Sequence, residues 1–508
     1  MTLELDGRSL NIATLARDRK SPEPVTLAPA ARRAMEASAT AVARVLAGGN
    51  AVYGINTGFG ALASERIAAE DLETLQYNLV RSHAAGFGKP LPAPIMRQVL
   101  LLKANSLAGG ASGVRPALVE ALIALLNAGV TPVIPERGSV GASGDLAPLA
   151  HLALALIGEG EATLAGKPLA GADVMRAAGV EPLVLAPKEG LALLNGTQVS
   201  AALALEGLLR SDNLLRTAVV AGALSVEGLA GSYAPFDERI HAARGQRGQS
   251  RIAAAFRALL SESAIWRSHR DCNRVQDPYS SRCQPQVLGA AWDALAHGAA
   301  VLGREANAAT DNPLVFDDAV ISGGNFHAAP VGLVADFMAI ALTDVGGLAE
   351  RRVDTFMRRI NPALPLFLAA QPGLESGFML AHVSAAAIAS ENKTLAHPAS
   401  VDSISTSAGQ EDHVSMAPWA GLKLLRIANN LAAILAIELA AAATALDLQR
   451  PLSTTPELQP VYELVRGVAL ERRGDRRHDR DIAALAALVA EGRIAECLPD
   501  AAWQAPWA

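Results

Sequence analysis

The chain has 508 residues, of which 51% are hydrophobic, 19% charged and 4% aromatic. Forty-four basic side chains against 50 acidic ones leave a net charge of −6, which excludes the basic surplus of a large nucleic-acid footprint. At about 150 residues per domain, the length accommodates roughly three domains or one large intertwined fold.

The N-terminus, MTLELDGRSL, lacks the basic start and apolar stretch of a signal peptide, so a cytoplasmic location is expected. Up to about Leu194 the chain is broken by Gly and Pro clusters at residues 54–60 (GINTGFG), 86–94 (GFGKPLPAP) and 131–144 (TPVIPERGSVGASG). Such clusters mark turns between short elements. Between them, residues 116–128 (PALVEALIALLNA) carry apolar side chains at three- and four-residue spacing, which predicts a helix. From about Lys188 the texture changes to Ala/Leu-rich stretches with isolated charges, at residues 200–229, 286–306, 330–356 and 422–448. Strand signals are few. The expected fold is mainly α: a mixed N-terminal head over residues 1–194, then a long-helix bundle with a C-terminal helical cap over residues 195–508.

The mean hydropathy of +0.24 raises the question of a membrane. The most membrane-like stretch, residues 430–446 (NLAAILAIELAAAATAL), falls short of the ~20 residues a span requires and holds Glu438 at its middle. It reads as the centre of a helix bundle. Cys272, Cys283 and Cys497 form no CxxC pair and are expected as free thiols in a reducing compartment. Residues 471–480 (ERRGDRRHDR) interleave Asp475 and Asp479 with arginines, the pattern of a solvated, salt-bridged face.

Residues 138–151 (GSVGASGDLAPLAH) carry the most chemical information. By composition they are a Gly-rich turn opening a helix, with Asp145 as a cap and Pro148 in the first turn. A nucleophile elbow built on Ser143, as in a serine hydrolase, fails because Asp145 stands where G-x-S-x-G needs glycine. The Ala142-Ser143-Gly144 tripeptide has another capacity. The Gly144 nitrogen can attack the Ala142 carbonyl, and loss of water together with the Ser143 hydroxyl gives a methylidene-imidazolone (MIO) ring, a strong electrophile. Glycine at the attacking position permits so close an approach.

This segment closely resembles the signature of the MIO-dependent aromatic amino-acid ammonia-lyases. The resemblance extends through YGINTGFG, NLVRSHAAGFG, KEGLALLNGTQ, VQDPYSSRCQPQV, DNPLVF, SGGNFHA and TSAGQEDHVSM, and is nearest to the histidine-directed members. It implies an ammonia-lyase/fumarase-aspartase-like fold and a homotetramer with sites shared between subunits. The ring would be made autocatalytically from residues 142–144, with no external cofactor. The implied reaction is non-oxidative loss of ammonia from L-histidine to give trans-urocanate. Tyrosine ammonia-lyase or 2,3-aminomutase chemistry of the same family is the alternative.

By the same resemblance Tyr53 is the base, Ser143 the ring-forming serine, and Tyr279 and Glu411 further catalytic groups. His83, Asn195, Gln276, Arg282 and Phe326 are substrate-binding. On residue type alone Tyr53 reads as a packed loop aromatic, Arg282 as an ion-pair residue and Phe326 as simple core. Tyr279 and Arg282 share a face if helical, and Arg282 can hold a carboxylate bidentately. His83 can hydrogen-bond an imidazole through either ring nitrogen. Glu411-Asp412-His413 suggests metal ligands, but adjacent positions on a helix diverge and HExxH is absent, so no metal is expected. Arg81, Ala329 and Gly409 depart from the usual pattern beside these motifs.

Overall fold

The computed structural model describes residues 2–48, 51–317, 319–471 and 474–508. Arg472 and Arg473, part of the expected salt-bridged face, lie outside the described residues. The chain divides into two compact units. One comprises Met1–Glu206, Ala299–Asp336 and Pro398–Leu422; the other comprises Gly207–Gly298, Phe337–His397 and Lys423–Ala508.

The first unit holds all the described strands, each three or four residues long. Leu3–Leu5 pairs in parallel with Val25–Leu27, and Phe87–Pro90 pairs antiparallel with Pro135–Arg137. Val130–Pro132, Glu161–Leu164 and Lys167–Ala170 form a three-stranded sheet. Leu314–Phe316 and Ala319–Ile321 make a hairpin. Helices fill the space between these small sheets. Pro116–Ala128 has its proline in the first turn, where no intrahelical donor is lost, and ends at Gly129 with φ 68°, a left-handed cap that glycine adopts without strain. Ala93–Ala108 buries every residue from Gln98 to Ala108, Lys103 included. Leu146–Leu156 follows directly on the Gly-rich turn, with Pro148 in its first turn.

The second unit contains helices and no strand among the described residues. The long apolar stretches all become helices, somewhat longer than the sequence suggests: Gln198–Gly228, Gln284–Glu305, Ala329–Met357 and Ala417–Leu448. The unit bounds fall inside all four. Residues 430–446, expected to be too short for a membrane span, lie within a 32-residue helix. Ala417–Leu448 and Ala329–Met357 are both long and apolar enough to cross a membrane by length and composition, though 83% of the apolar window in the former is buried within the protein. Glu438, the charge in that helix, is fully buried against Arg352, with Nε–Oε1 2.5 Å and Nη2–Oε2 2.8 Å, and accepts a hydrogen bond from Ser225 Oγ at 2.7 Å. A fork-to-fork pair of this kind makes a buried charge tolerable in an apolar bundle.

Candidate active site

A cavity of about 1190 Å³ opens in the first unit, lined by Tyr53, His83, Ala142, Ser143, Asn195, Phe326 and Glu411 among others. Seven residues singled out from sequence thus share one wall system. Gln276, Tyr279 and Arg282 are not in this lining and belong to the second unit.

The Gly-rich turn is held from several sides. Ser415 Oγ donates to the Gly141 carbonyl at 2.8 Å, and Met416 N donates to Val140 O at 2.8 Å. Gly144 has φ +73°, and a Cβ there would stand 2.4 Å from the Gly196 backbone nitrogen. No other residue fits that position without displacing backbone. Asp145 N donates to Gly196 O at 2.8 Å.

Asp145 occupies the position before the helix but makes no side-chain cap, contrary to expectation. Its carboxylate is fully buried and instead accepts from Ser200 N (2.7 Å), Ser200 Oγ (2.8 Å) and Ser139 Oγ (3.1 Å). Burial holds this carboxyl above the ordinary carboxylate range, against those hydrogen bonds. Asp145 thus ties the turn to the start of Gln198–Gly228. The first turn of Leu146–Leu156 begins two residues after Gly144, so its positive end favours negative charge beside the tripeptide.

Asn195 ends the helix Glu189–Leu194 and donates from Nδ2 to the Ser143 carbonyl at 3.0 Å. Its Oδ1 is buried with no hydrogen-bond partner among the described residues. A buried acceptor left open beside a cavity is a site for a donor on a bound molecule.

Ser143 Oγ donates to Glu411 Oε1. Thr406 Oγ1 and Ser407 Oγ donate to Glu411 Oε2 at 2.7 and 2.8 Å. Burial pushes the Glu411 carboxyl up, and the hydrogen bonds from Ser143, Thr406 and Ser407, with His83 nearby, outweigh it and bring it below the ordinary carboxylate range. Glu411 is therefore a carboxylate at neutral pH. Residues 411–413 lie in a loop before Ala417–Leu448 and not on a helix as the sequence suggested.

His83 closes the helix Leu72–His83, whose Leu75, Asn78, Leu79 and Ser82 also face the cavity. Its Nδ1 lies 2.8 Å from the Leu79 carbonyl. A carbonyl only accepts, so Nδ1 carries the hydrogen and Nε2 alone remains for another partner. The expectation that either nitrogen could serve is narrowed accordingly. Tyr53 accepts a hydrogen bond at its phenolic oxygen from Gly60 N at 3.3 Å. The loop carrying both is pinned by Gly58 N to Glu65 O (2.8 Å) and Ile67 N to Asn56 O (3.0 Å).

Arg81, Ala329 and Gly409 stay out of the cavity lining. Arg81 pairs with exposed Glu159 at 2.5 and 2.8 Å, so its departure from the usual pattern does not touch the pocket wall. Sequence reasoning assigned no role to Asn312, Ser322, His327 or His413, which line the cavity as well. All four lie inside motifs already quoted. The His327 and His413 rings stack with centroids 5.6 Å apart.

In the second unit, residues 279–282 form one helical turn, and Arg282 lies over the Tyr279 ring at 4.6 Å. Arg282 Nη2 donates to Gln276 Oε1 and Nε to Asp277 O, both at 3.1 Å. Arg274 and the Ser232 amide anchor Asp277 at 2.8 and 2.7 Å. Tyr279 is 70% exposed and Val275 95%, so this firmly anchored segment presents its functional groups outward.

The chain matches the aromatic amino acid lyase family over residues 10–467. It is 54% identical to a histidine ammonia-lyase of Burkholderia cenocepacia over 96% of this chain and 97% of the relative. Among solved structures, histidine ammonia-lyase from Trypanosoma cruzi superposes with a TM-score of 0.90 at 40% identity, covering 99% of this chain and 96% of that one. Tyrosine aminomutase from Streptomyces globisporus superposes with a TM-score of 0.92 at 34% identity, covering 98% of each chain.

Proposed function

The chain belongs to the aromatic amino acid lyase family, and from that premise we propose that it is a carbon–nitrogen lyase that eliminates ammonia from L-histidine to give trans-urocanate. The observation that carries the choice of substrate is that a charged Glu411 and His83 line the same wall that also holds Ser143. An imidazole side chain is matched by an anionic acceptor and by the free Nε2 of His83; a phenyl ring satisfies neither, and leaving such groups unpaired discriminates strongly.

Residues 142–144 suit a self-made MIO ring, with no external cofactor required. Gly144 has room for no Cβ, Ala142 is buried, and the Ser143 carbonyl is already held by Asn195. Once formed, the ring supplies an electrophile for the substrate amine, which is otherwise a poor leaving group. Asn195 Nδ2 stands at the Ser143 carbonyl oxygen, where a hydrogen-bond donor stabilises developing negative charge. Tyr53 takes the β-proton, Phe326 packs against the substrate ring, and Glu411 orients the imidazole.

Arg282, with Gln276 and Tyr279, is assigned to the substrate carboxylate in the cavity of another copy of the chain. Their outward presentation supports this role. So does the apolar row Leu333, Phe337 and Ile340, which is 59%, 47% and 44% exposed along Ala329–Met357 and would be covered in a homotetramer. The three free cysteines accord with a cytoplasmic enzyme.

Incubation with L-histidine, L-tyrosine and L-phenylalanine, following ammonia and conjugated product, tests the reaction. Turnover of L-histidine alone is expected. Turnover confined to the other two overturns the substrate assignment, and a β-amino acid product indicates a mutase. For shared sites, co-assembling Tyr53→Phe with Arg282→Leu chains should restore part of the activity that each lacks alone. Inactive mixtures contradict sharing.

A further inference from the structure

Behind the tripeptide's own support lies a lysine that no step above uses. Lys103 is completely buried in the middle of Ala93–Ala108. Its Nζ donates to the Asn195 backbone carbonyl at 2.7 Å and lies 3.4 Å from Gln198 Oε1. Asn195 follows the short helix Glu189–Leu194, and its inward-facing carbonyl requires a partner once buried. Lys103 is that partner.

From this carbonyl two paths lead to the ring-forming residues. Through its side chain, Asn195 Nδ2 holds the Ser143 carbonyl at 3.0 Å. Through the backbone, the next residue, Gly196, accepts from Asp145 N at 2.8 Å and lies flush against Gly144. The dipeptide Asn195-Gly196 therefore clamps Ser143, Gly144 and Asp145, and Lys103 fixes the clamp at its one carbonyl not engaged with them.

The neighbouring buried lysine behaves differently. Lys188 pairs directly with Asp311 at 2.5 Å, an ordinary ion pair in which one charge satisfies the other. The two hydrogen-bond acceptors of Lys103 are neutral, a costlier arrangement for an ammonium. Burial draws Lys103 down to about 7, with Asp311 and Asp145 acting against it and Lys188 with it.

We propose that Lys103 is a positioning residue for the lyase site, acting through Asn195 and Gly196 to hold residues 142–144 in the geometry that closes the ring and then serves elimination. The proposal rests on the ring-forming reading above. Two variants test it: Lys103→Met, which removes both charge and donor, and Lys103→Gln, which keeps a neutral donor. Three readouts apply to each: the mass of the peptide containing residues 142–144 from folded protein, kcat and KM for L-histidine, and the urea midpoint.

Lys103→Met is expected to form the ring at least tenfold more slowly. In the fraction that bears it, kcat falls at least thirtyfold with KM within threefold of the parent, and Lys103→Gln lies in between. A merely structural residue would lower the urea midpoint and leave ring content and kcat alone. Complete ring formation with kcat within threefold of the parent overturns the proposal, whether read in Lys103→Met or, should that variant not fold, in Lys103→Gln. Failure of both variants to fold also overturns it, by making Lys103 a folding residue. Absence of the ring from the parent protein is a separate result, and removes the reading on which this inference stands.

Discussion

Two fully buried basic side chains, Arg352 in the second unit and Lys103 in the first, are held in opposite ways. Arg352 in the second unit meets Glu438 fork to fork, with Ser225 completing the carboxylate's shell. Lys103 in the first unit meets a backbone carbonyl and a side-chain amide. The first arrangement sets charge against charge and makes long Ala-rich helices compatible with an internal charge. The second directs a hydrogen-bond donor at the residue that grips the Ser143 carbonyl. Buried polar groups around residues 138–145 thus serve the geometry of a site, whereas those of the helical unit serve its packing. Substitutions in the first set should move activity per folded molecule, and substitutions in the second should move stability.

The largest effect is expected for Ser143→Ala. Without the hydroxyl no ring can form, so L-histidine turnover should fall to background while the urea midpoint stays near that of the parent. Residual parental activity in this variant would break the comparison outright. Tyr53→Phe should keep the ring and lose about 10²–10⁴-fold in kcat, the usual range for removing a positioned general base; steady-state kinetics with a peptide mass on the same sample checks both halves. In the helical unit, Glu438→Gln leaves Arg352 with an uncompensated buried charge. It should cost about 3–5 kcal/mol of stability, read from urea unfolding, with kcat per folded molecule unchanged. A drop in kcat without a loss of stability would reverse the roles assigned to the two units.

The smallest effect is a pH dependence. Before the ring forms, while the Ser143 hydroxyl is present, Glu411 has its folded carboxyl held below the ordinary range, so its stabilising contribution is present above the unfolded value and lost as pH falls through the lower folded one. In freshly refolded chains still at full mass over residues 142–144, the stability difference between the parent sequence and Glu411→Gln should therefore shrink on acidification below the ordinary carboxylate range. A difference that grows there would mean the carboxyl is not ionised in the folded protein.

Much of the site was legible because its chemistry sits in short contiguous motifs. Ala142, Ser143 and Gly144 are adjacent in sequence, and Tyr53, His83, Asn195, Phe326 and Glu411 each lie in a distinctive string that the fold brings to one cavity. The helices were legible from apolar spacing, and their ends less so, because tertiary burial extends a helix past the last periodic residue. Ala417–Leu448 begins five residues before the stretch predicted for it.

Lys103 was not legible. In VLLLKANSLA a single lysine amid apolar residues reads as a snorkelling surface charge, and only the packing of Asn195 against it reveals a purpose. Asp145 misled in the same way. Its position is that of a helix cap, but burial beside Ser139 and Ser200 offers its carboxylate better-placed donors. Gln276, Tyr279 and Arg282 were legible as residue types, yet spacing along one chain carries no information on which copy's cavity they serve.

Ammonia elimination by this chain requires residues 142–144 to become an electrophile. Peptide mass measurement on the native protein decides this directly. The segment containing Ala142, Ser143 and Gly144 should weigh two waters less than its sequence in the parent and retain at least one of those waters in Ser143→Ala. A native segment at its full, unmodified mass would contradict the lyase mechanism described above.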